Sequence, residues 1–237
     1  MVSNDTRDTP STGYTGDVTV GGEPHVRTLE RLVITKVAVD PQMSNNCYLL
    51  TCRQTGDQVL VDAAAEPEVL LPLVTPGLSN VVTTHQHWDH HRALADVVAA
   101  TGAEVVVGAP DAAAVTEQTG VPVARRLEHG DVVKVGACSL EVIAIAGHTP
   151  GSVALLYDDP ASDGHSHLFT GDSLFPGGVG GTFGDDKAAL FTQLIDEVET
   201  KIFDRLPDAT WFYPGHGADS TLGAERPHLA EWRRRGY

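Results

Sequence analysis

Two facing mixed β-sheets with helices on their outer faces, an α/β sandwich in four layers (αββα), is the architecture this sequence predicts. Three observations carry the prediction. Short β-rich runs broken by turn residues recur through both halves, helical apolar stripes alternate with them, and 237 residues suit one compact domain. A chain of this length, 41% hydrophobic and 20% charged, buries roughly 70% of its unfolded surface in a single core system.

Residues 1–25 are rich in Thr, Gly, Asp and Pro without apolar periodicity, which predicts a flexible arm or edge decoration ahead of one domain over 26–237, with order beginning near Leu29. A meander of strands follows over 32–39, 47–51 and 58–61, broken by Asp40-Pro41 and Gly56-Asp57. The middle alternates strand 80–84, helix 90–101, strand 104–107 and helix 110–118. Leu94, Val97, Val98 and Thr101 give the first of these helices one face for packing on a sheet. Gly102 can take the left-handed conformation that stops it. Strands are predicted again at 132–135, 140–146, 153–157, 168–170 and 211–213. A long helix spans 185–206, striped by Leu190, Leu194, Ile195, Val198, Ile202 and Phe203 and ended by Pro207. The tail around Arg226-Pro227-His228 reads as a short amphipathic C-terminal helix, with Trp232 as its core anchor and Arg233-Arg234-Arg235 as a solvated end.

A net charge of −16, with only 16 Lys and Arg, disfavours a phosphate backbone, whose affinity comes from cations displacing counterions; nucleic acid is excluded as the expected partner. No run of eighteen apolar residues exists and the first residues are neither basic nor apolar, so no membrane association is expected and the chain reads as soluble and cytoplasmic. Cys47, Cys52 and Cys138 form no CxxC pair and read as reduced core thiols.

The chemistry concentrates in Thr84-His85-Gln86-His87-Trp88-Asp89-His90, which ends an apolar strand. Three imidazoles and a carboxylate within six positions outline a site for Zn(II), Fe or Mn. Further candidates stand in short loops directly after apolar strands: His148 in Gly-His-Thr-Pro-Gly, Asp172 in Gly-Asp-Ser and His216 in Pro-Gly-His-Gly. Flanking Gly and Pro let the backbone turn tightly enough to aim each side chain at one common rim.

From about Leu32 to Gly217 the order HxHxDH, GHTPGS, GDS and PGHG resembles the metallo-β-lactamase-fold hydrolases. TTHQHWDH with GDSLFPGG is most similar to the hydroxyacyl-thiol hydrolase (glyoxalase II-like) branch. The resemblance implies two divalent ions, Zn(II) first with Fe or Mn as alternatives. His85, His87 and His148 would hold one, Asp89, His90 and His216 the other, with Asp172 bridging both. Asp89 and Asp172 would be the catalytic carboxylates. A hydroxide shared by the two ions would then attack a small thioester, without a Ser or Cys nucleophile. A carboxylate at Asp172, where lactamases of this fold usually carry Cys or Ser, argues against lactam cleavage.

Several residues depart from that pattern or have plainer readings. His90-His91-Arg92-Ala93 replaces small residues that relatives often carry. His91, about 100° from His90 on a helix, is expected at a surface or packing position. The Gly-rich stretch 175–182 lacks the basic residue that often follows it in thioester hydrolases, Lys187 being the nearest cation, and only 21 residues follow His216, where the resembling enzymes append a helical domain that grips the thiol carrier. His25, His129, His165 and His167 are expected to face solvent, Tyr213 to pack in its strand, and Trp88 to wall the metals from water. The functional expectation is a dinuclear metal hydrolase of a small hydroxyacyl thioester. Alternatives are a mononuclear iron persulfide dioxygenase using His85, His148 and Asp172, and a lactonase.

Overall fold

A computed structural model describes residues 14–74, 76–158 and 165–236. The first sheet contains seven strands in sequential order: β1 (His25–Thr28), β2 (Leu32–Val39), β3 (Asn45–Cys52), β4 (Gln58–Val61), β5 (Leu78–Thr83), β6 (Glu104–Gly108) and β7 (Arg125–Leu127). Its first four strands form an antiparallel meander, and β4 through β7 run parallel. The short helix α1 (Pro67–Leu70) and helices α2 (Leu94–Thr101) and α3 (Ala112–Thr119) make the crossovers, because parallel neighbours need a connection that returns over a sheet face.

The second sheet is built from β8 (Val132–Val135), β9 (Cys138–Ala144), β10 (Val153–Asp158) and β11 (Ser166–Gly171). After the small hairpin of β12 (Leu174–Phe175) and β13 (Gly178–Val179) comes α4 (Lys187–Val198), and the sheet is completed by β14 (Trp211–Pro214) and β15 (Ser220–Thr221), in the order β15-β14-β11-β10-β9-β8. The chain ends in α5 (Leu222–Glu225) and α6 (Leu229–Arg235).

Strand alternation partitions the apolar residues into three cores. Leu32, Ile34, Leu50 and Val82 of the first sheet meet Leu140, Leu155 and Phe169 of the second. Val37, Leu49 and Val81, on the opposite face of the first sheet, pack on Leu94, Val97 and Val115 of α2 and α3. Leu156, Leu168 and Phe212 pack on Leu194, Ile195, Val198 and Trp232. The four expected layers are therefore present, with Trp232 1% exposed against the Phe203 ring.

Local differences have local causes. The helix expected over 90–101 begins only at Leu94, since Trp88–His90 forms a 3-10 turn and His91, at φ −147°, leaves helical geometry. The helix expected to run to Leu206 gives way after Val198 to a π turn over Glu199–Phe203. Of the N-terminal stretch, residues 1–13 lie outside the described residues. The remainder is ordered earlier than Leu29: the Tyr14 hydroxyl donates to Asp219 at 2.8 Å, and β1 pairs antiparallel with β2.

Lys36 explains that early order. It shares the strand parity of Leu32 and Ile34, so its side chain enters the space between the sheets, where it is fully buried. Burial pulls its amine below the usual range and pushes the Asp219 carboxyl up, and the two groups meet at 2.6 Å. The ammonium also donates to the Gly16 and Gly217 carbonyls at 2.7 and 2.9 Å. Lys36→Met leaves Asp219 buried without its cation and is expected to cost about 3–5 kcal/mol, read as a lower denaturant midpoint; an unchanged midpoint would show the pair to be dispensable.

No helix among the described residues is long and apolar enough to cross a membrane. All three cysteines are buried and form no disulfide.

Candidate metal centre

The C-terminal ends of β5, β11 and β14, with the turn after β9, deliver the expected ligands to one rim between the sheets. His85 and His87 follow β5, Asp89 and His90 lie in the 3-10 turn behind them, His148 follows β9, Asp172 follows β11 and His216 follows β14. All seven side chains converge. His85 Nε2 lies 3.1 Å from His87 Nδ1 and 3.3 Å from His148 Nε2. His90 Nε2 lies 3.2 Å from His216 Nε2, and the Asp89 carboxylate is 3.4 Å from His216. Asp172 stands between the two groups, 3.4 Å from His90 through one oxygen and 3.4 and 3.7 Å from His216 and His148 through the other.

These separations test whether cations fit. Ligand atoms at about 2.0–2.1 Å around a tetrahedral ion stand about 3.3 Å apart, which is the spacing seen. Three trios have their candidate ligand atoms all within 4.8 Å of one another: His85/His87/His148, His85/His90/Asp172 and Asp89/His90/His216. Ring nitrogens facing one another make poor hydrogen-bond partners, and one buried Asp172 oxygen, Oδ1, receives no hydrogen bond. Imidazole nitrogens and carboxylate oxygens clustered in this way fit metal ions.

The opposite ring nitrogens are held from outside, which fixes ring orientation and tautomer. His148 Nδ1 is 2.7 Å from the Gly181 carbonyl, His216 Nδ1 is 2.9 Å from that of Met43, and His90 Nδ1 is 2.8 Å from Asp62. Burial holds His85 and His87 below the ordinary imidazole range and His148 down at about 4. Burial works the same way on His90 and His216, but Asp172, with Asp62 on His90 and Asp89 on His216, reverses it: His90 is raised well above its ordinary value and His216 reaches about 9. His90 and His216 in turn keep the Asp172 carboxyl well below the usual carboxylate range against its burial. Local backbone is equally specific. A Cβ on Gly215 would lie 2.1 Å from Asp172 Oδ1, so only glycine fits there.

Sequence reasoning missed the supports. Asp62, 2% exposed, accepts from the Thr84 amide at 2.7 Å and the Thr84 hydroxyl at 2.8 Å besides facing His90. Asp111, fully buried, accepts from the Gln86 amide, the Thr149 hydroxyl and the Gly151 amide at 2.6 to 2.9 Å, tying the His85–His87 loop to the His148 turn. Asn45 donates to Asp89 at 2.9 Å. One signal was available: Asp62 directly follows β4 and Asp111 closely follows β6, the same strand-end position the ligands occupy.

Of the four histidines expected to face solvent, His167 does not, whereas His91 takes the packing position that was one of its two expected places: it is 3% exposed, with Nε2 3.2 Å from the Gln86 carbonyl. His91→Ala is expected to change turnover less than threefold, and a collapse comparable to that of His87→Ala would give it a role in the chemistry. His167 faces the inter-sheet core, 2.9 Å from the Tyr213 hydroxyl, since it shares strand parity with Phe169. His25 and His165 are half-buried and His129 is exposed. Tyr213 packs as expected, stacked on Phe169 at 4.8 Å. Trp88 is 52% exposed, with the Arg92 guanidinium 4.7 Å from its ring centroid.

The family model of the metallo-beta-lactamase superfamily matches residues 40–216, from the loop after β2 to the last of the seven candidate ligands. The chain belongs to the metallo-β-lactamase superfamily. Within the superfamily it is 31% identical over 191 residues to a hydroxyacylglutathione hydrolase of Polaromonas sp. (strain JS666), covering 78% of this chain and 66% of that protein. Across the first curated superfamily relatives the chain spans 62 to 66% of their length. Two solved structures are similar: ETHE1 from Myxococcus xanthus, 29% identical with a TM-score of 0.69 over 85% of this chain and 84% of that one, and TTHA1623 in a di-iron-bound form, 30% identical with a TM-score of 0.60 over 81% and 96%.

Proposed function

We propose that the protein is a dinuclear metal-dependent hydrolase of a small hydroxyacyl thioester. The observation that carries the reading is the pair of trios joined by Asp172, which supplies donors for two ions at one rim. Hydrolases of hydroxyacylglutathione among the curated relatives and a di-iron form among the structural ones support it. In this reading His85, His87 and His148 hold one ion, Asp89, His90 and His216 the second, and Asp172 both. Zn(II) suits the imidazole-rich set, with Fe or Mn as the other candidates.

Such ions supply a nucleophile from water at neutral pH and draw charge from a carbonyl oxygen. The chain's own part is positional. Gly181, Met43 and Asp62 fix the ring orientations of His148, His216 and His90, so their Nε2 atoms hold still at the rim. Asn45 holds the Asp89 carboxylate by its amide. Rigid ligands of this kind avoid reorganisation during reaction, which is where a preorganised site gains its rate.

The test is turnover of lactoylated thiols and thiophenyl esters by protein reconstituted with Zn, Fe or Mn, alongside metal analysis. Two ions per chain and hydrolysis without oxygen uptake are expected. No turnover with any of the three metals would end the reading.

A mononuclear iron persulfide dioxygenase is the second reading, because His85, His148 and Asp172 form a two-histidine, one-carboxylate set. It leaves Asp89, His90 and His216 without a task. One iron per chain with persulfide-dependent oxygen consumption would favour it.

A further inference from the structure

Apolar side chains stand beside the candidate metal centre. Five large hydrophobic residues are exposed among the described residues, and two of them, Met43 and Phe183, belong to segments whose carbonyls orient ligand histidines. Phe183, 67% exposed, comes two residues after Gly181, whose carbonyl holds His148. Its ring stands edge-on to His87 and His148, with centroids 6.1 and 6.4 Å away. Across the pocket Phe175 lies tilted beside His216 at 6.3 Å, and Met43, 40% exposed, supplies the carbonyl that fixes that same histidine. One aromatic ring thus flanks each trio of ligands. An exposed phenyl ring in water loses the stability its burial would bring, so a ring held at this place by the ligand framework is placed for what enters the pocket.

Charge at the mouth points the same way. The stretch 177–184 contains no Lys or Arg, and Asp185 and Asp186 follow it, both exposed. Arg92, the cation nearest the ligand loop in sequence, is paired with Asp40 and stacked on Trp88. Arg235 reaches the start of that stretch but is spent on the Gly177 carbonyl, to which it donates at 2.7 Å, so Asp185 and Asp186 set the charge that a thiol carrier bearing carboxylates would meet.

We infer that Phe183 and Phe175 select a thioester whose sulfur carries an apolar alkyl or aryl group, over one with an anionic carrier. This rests on the thioester-hydrolase reading for its chemistry, and the test separates the two. Two non-hydrolysable ketones, in which a CH2 divides sulfur from carbonyl, carry either an S-benzyl or an S-carboxymethyl group. They are titrated calorimetrically into the zinc-reconstituted protein and into Phe183→Ala, a substitution at an exposed position that leaves the cores untouched. The benzyl compound is expected to bind at least about tenfold tighter, the scale of one well-filled apolar contact. Phe183→Ala is expected to remove most of that preference and Phe183→Leu to retain most of it. Equal binding of the two compounds, or a preference undiminished in Phe183→Ala, overturns the inference. A benzyl preference that depends on Phe183, with no turnover of any thioester, would sustain the inference and defeat the hydrolase reading alone.

Discussion

Asp172→Ala is expected to lower thioester turnover by on the order of 10^3-fold or more, because one substitution removes the carboxylate within reach of both ligand trios and with it the stabilisation of developing charge. The fold should survive. His90 keeps Asp62 at 2.8 Å and His216 keeps Asp89 at 3.4 Å, so neither raised imidazole is left without an anion. Unchanged circular dichroism, fewer than two metals per chain and lost activity form the expected set of results. Full activity with two metals bound would remove Asp172 from the bridging position.

Asp62→Asn carries the second-largest effect and tests a residue that ligand spacing alone would never select. The substitution nearly preserves shape but exchanges a buried anion for an amide, at a position whose backbone already adopts a left-handed φ of 59°. It weakens the hold on His90 Nδ1 and on the Thr84 amide and hydroxyl together. Outer partners of metal-bound histidines typically contribute 10- to 100-fold in affinity, and a loss of about that size is expected for the ion at the Asp89/His90/His216 trio. The His85/His87/His148 trio, whose outer partner at His148 is Gly181, should lose less. Competition with a chelator measures both, and equal losses at the two trios would show that Asp62 supports the rim as a whole.

Much of this site was legible because its ligands travel in short, chemically unusual segments. Three imidazoles and a carboxylate in six positions are visible without coordinates, and Gly-His-Thr-Pro-Gly or Pro-Gly-His-Gly after an apolar strand announces both a tight turn and a reason for it. The supports were not legible. Asp62 and Asp111 stand alone among apolar and small residues, and one acidic residue after a strand has many ordinary uses. What makes them supports is the parallel run of β4, β5 and β6, which brings Asp62 and Asp111 alongside Thr84 and Gln86. His167 failed for a related reason. Whether it faces water or core depends on strand parity against a second sheet.

By itself the sequence determined the layered α/β architecture, the identity of seven candidate ligands and the kind of ion they suit, since periodicity and donor chemistry are local properties of a chain. Only the tertiary structure decided that the ligands meet at 3.1 to 3.7 Å, that Asp62, Asp111 and Asn45 hold the rim, that Lys36 is buried between the sheets against Asp219, and that phenyl rings flank the mouth. Those are distances between segments far apart in the chain, fixed by how two sheets twist and pack, and no local pattern encodes them.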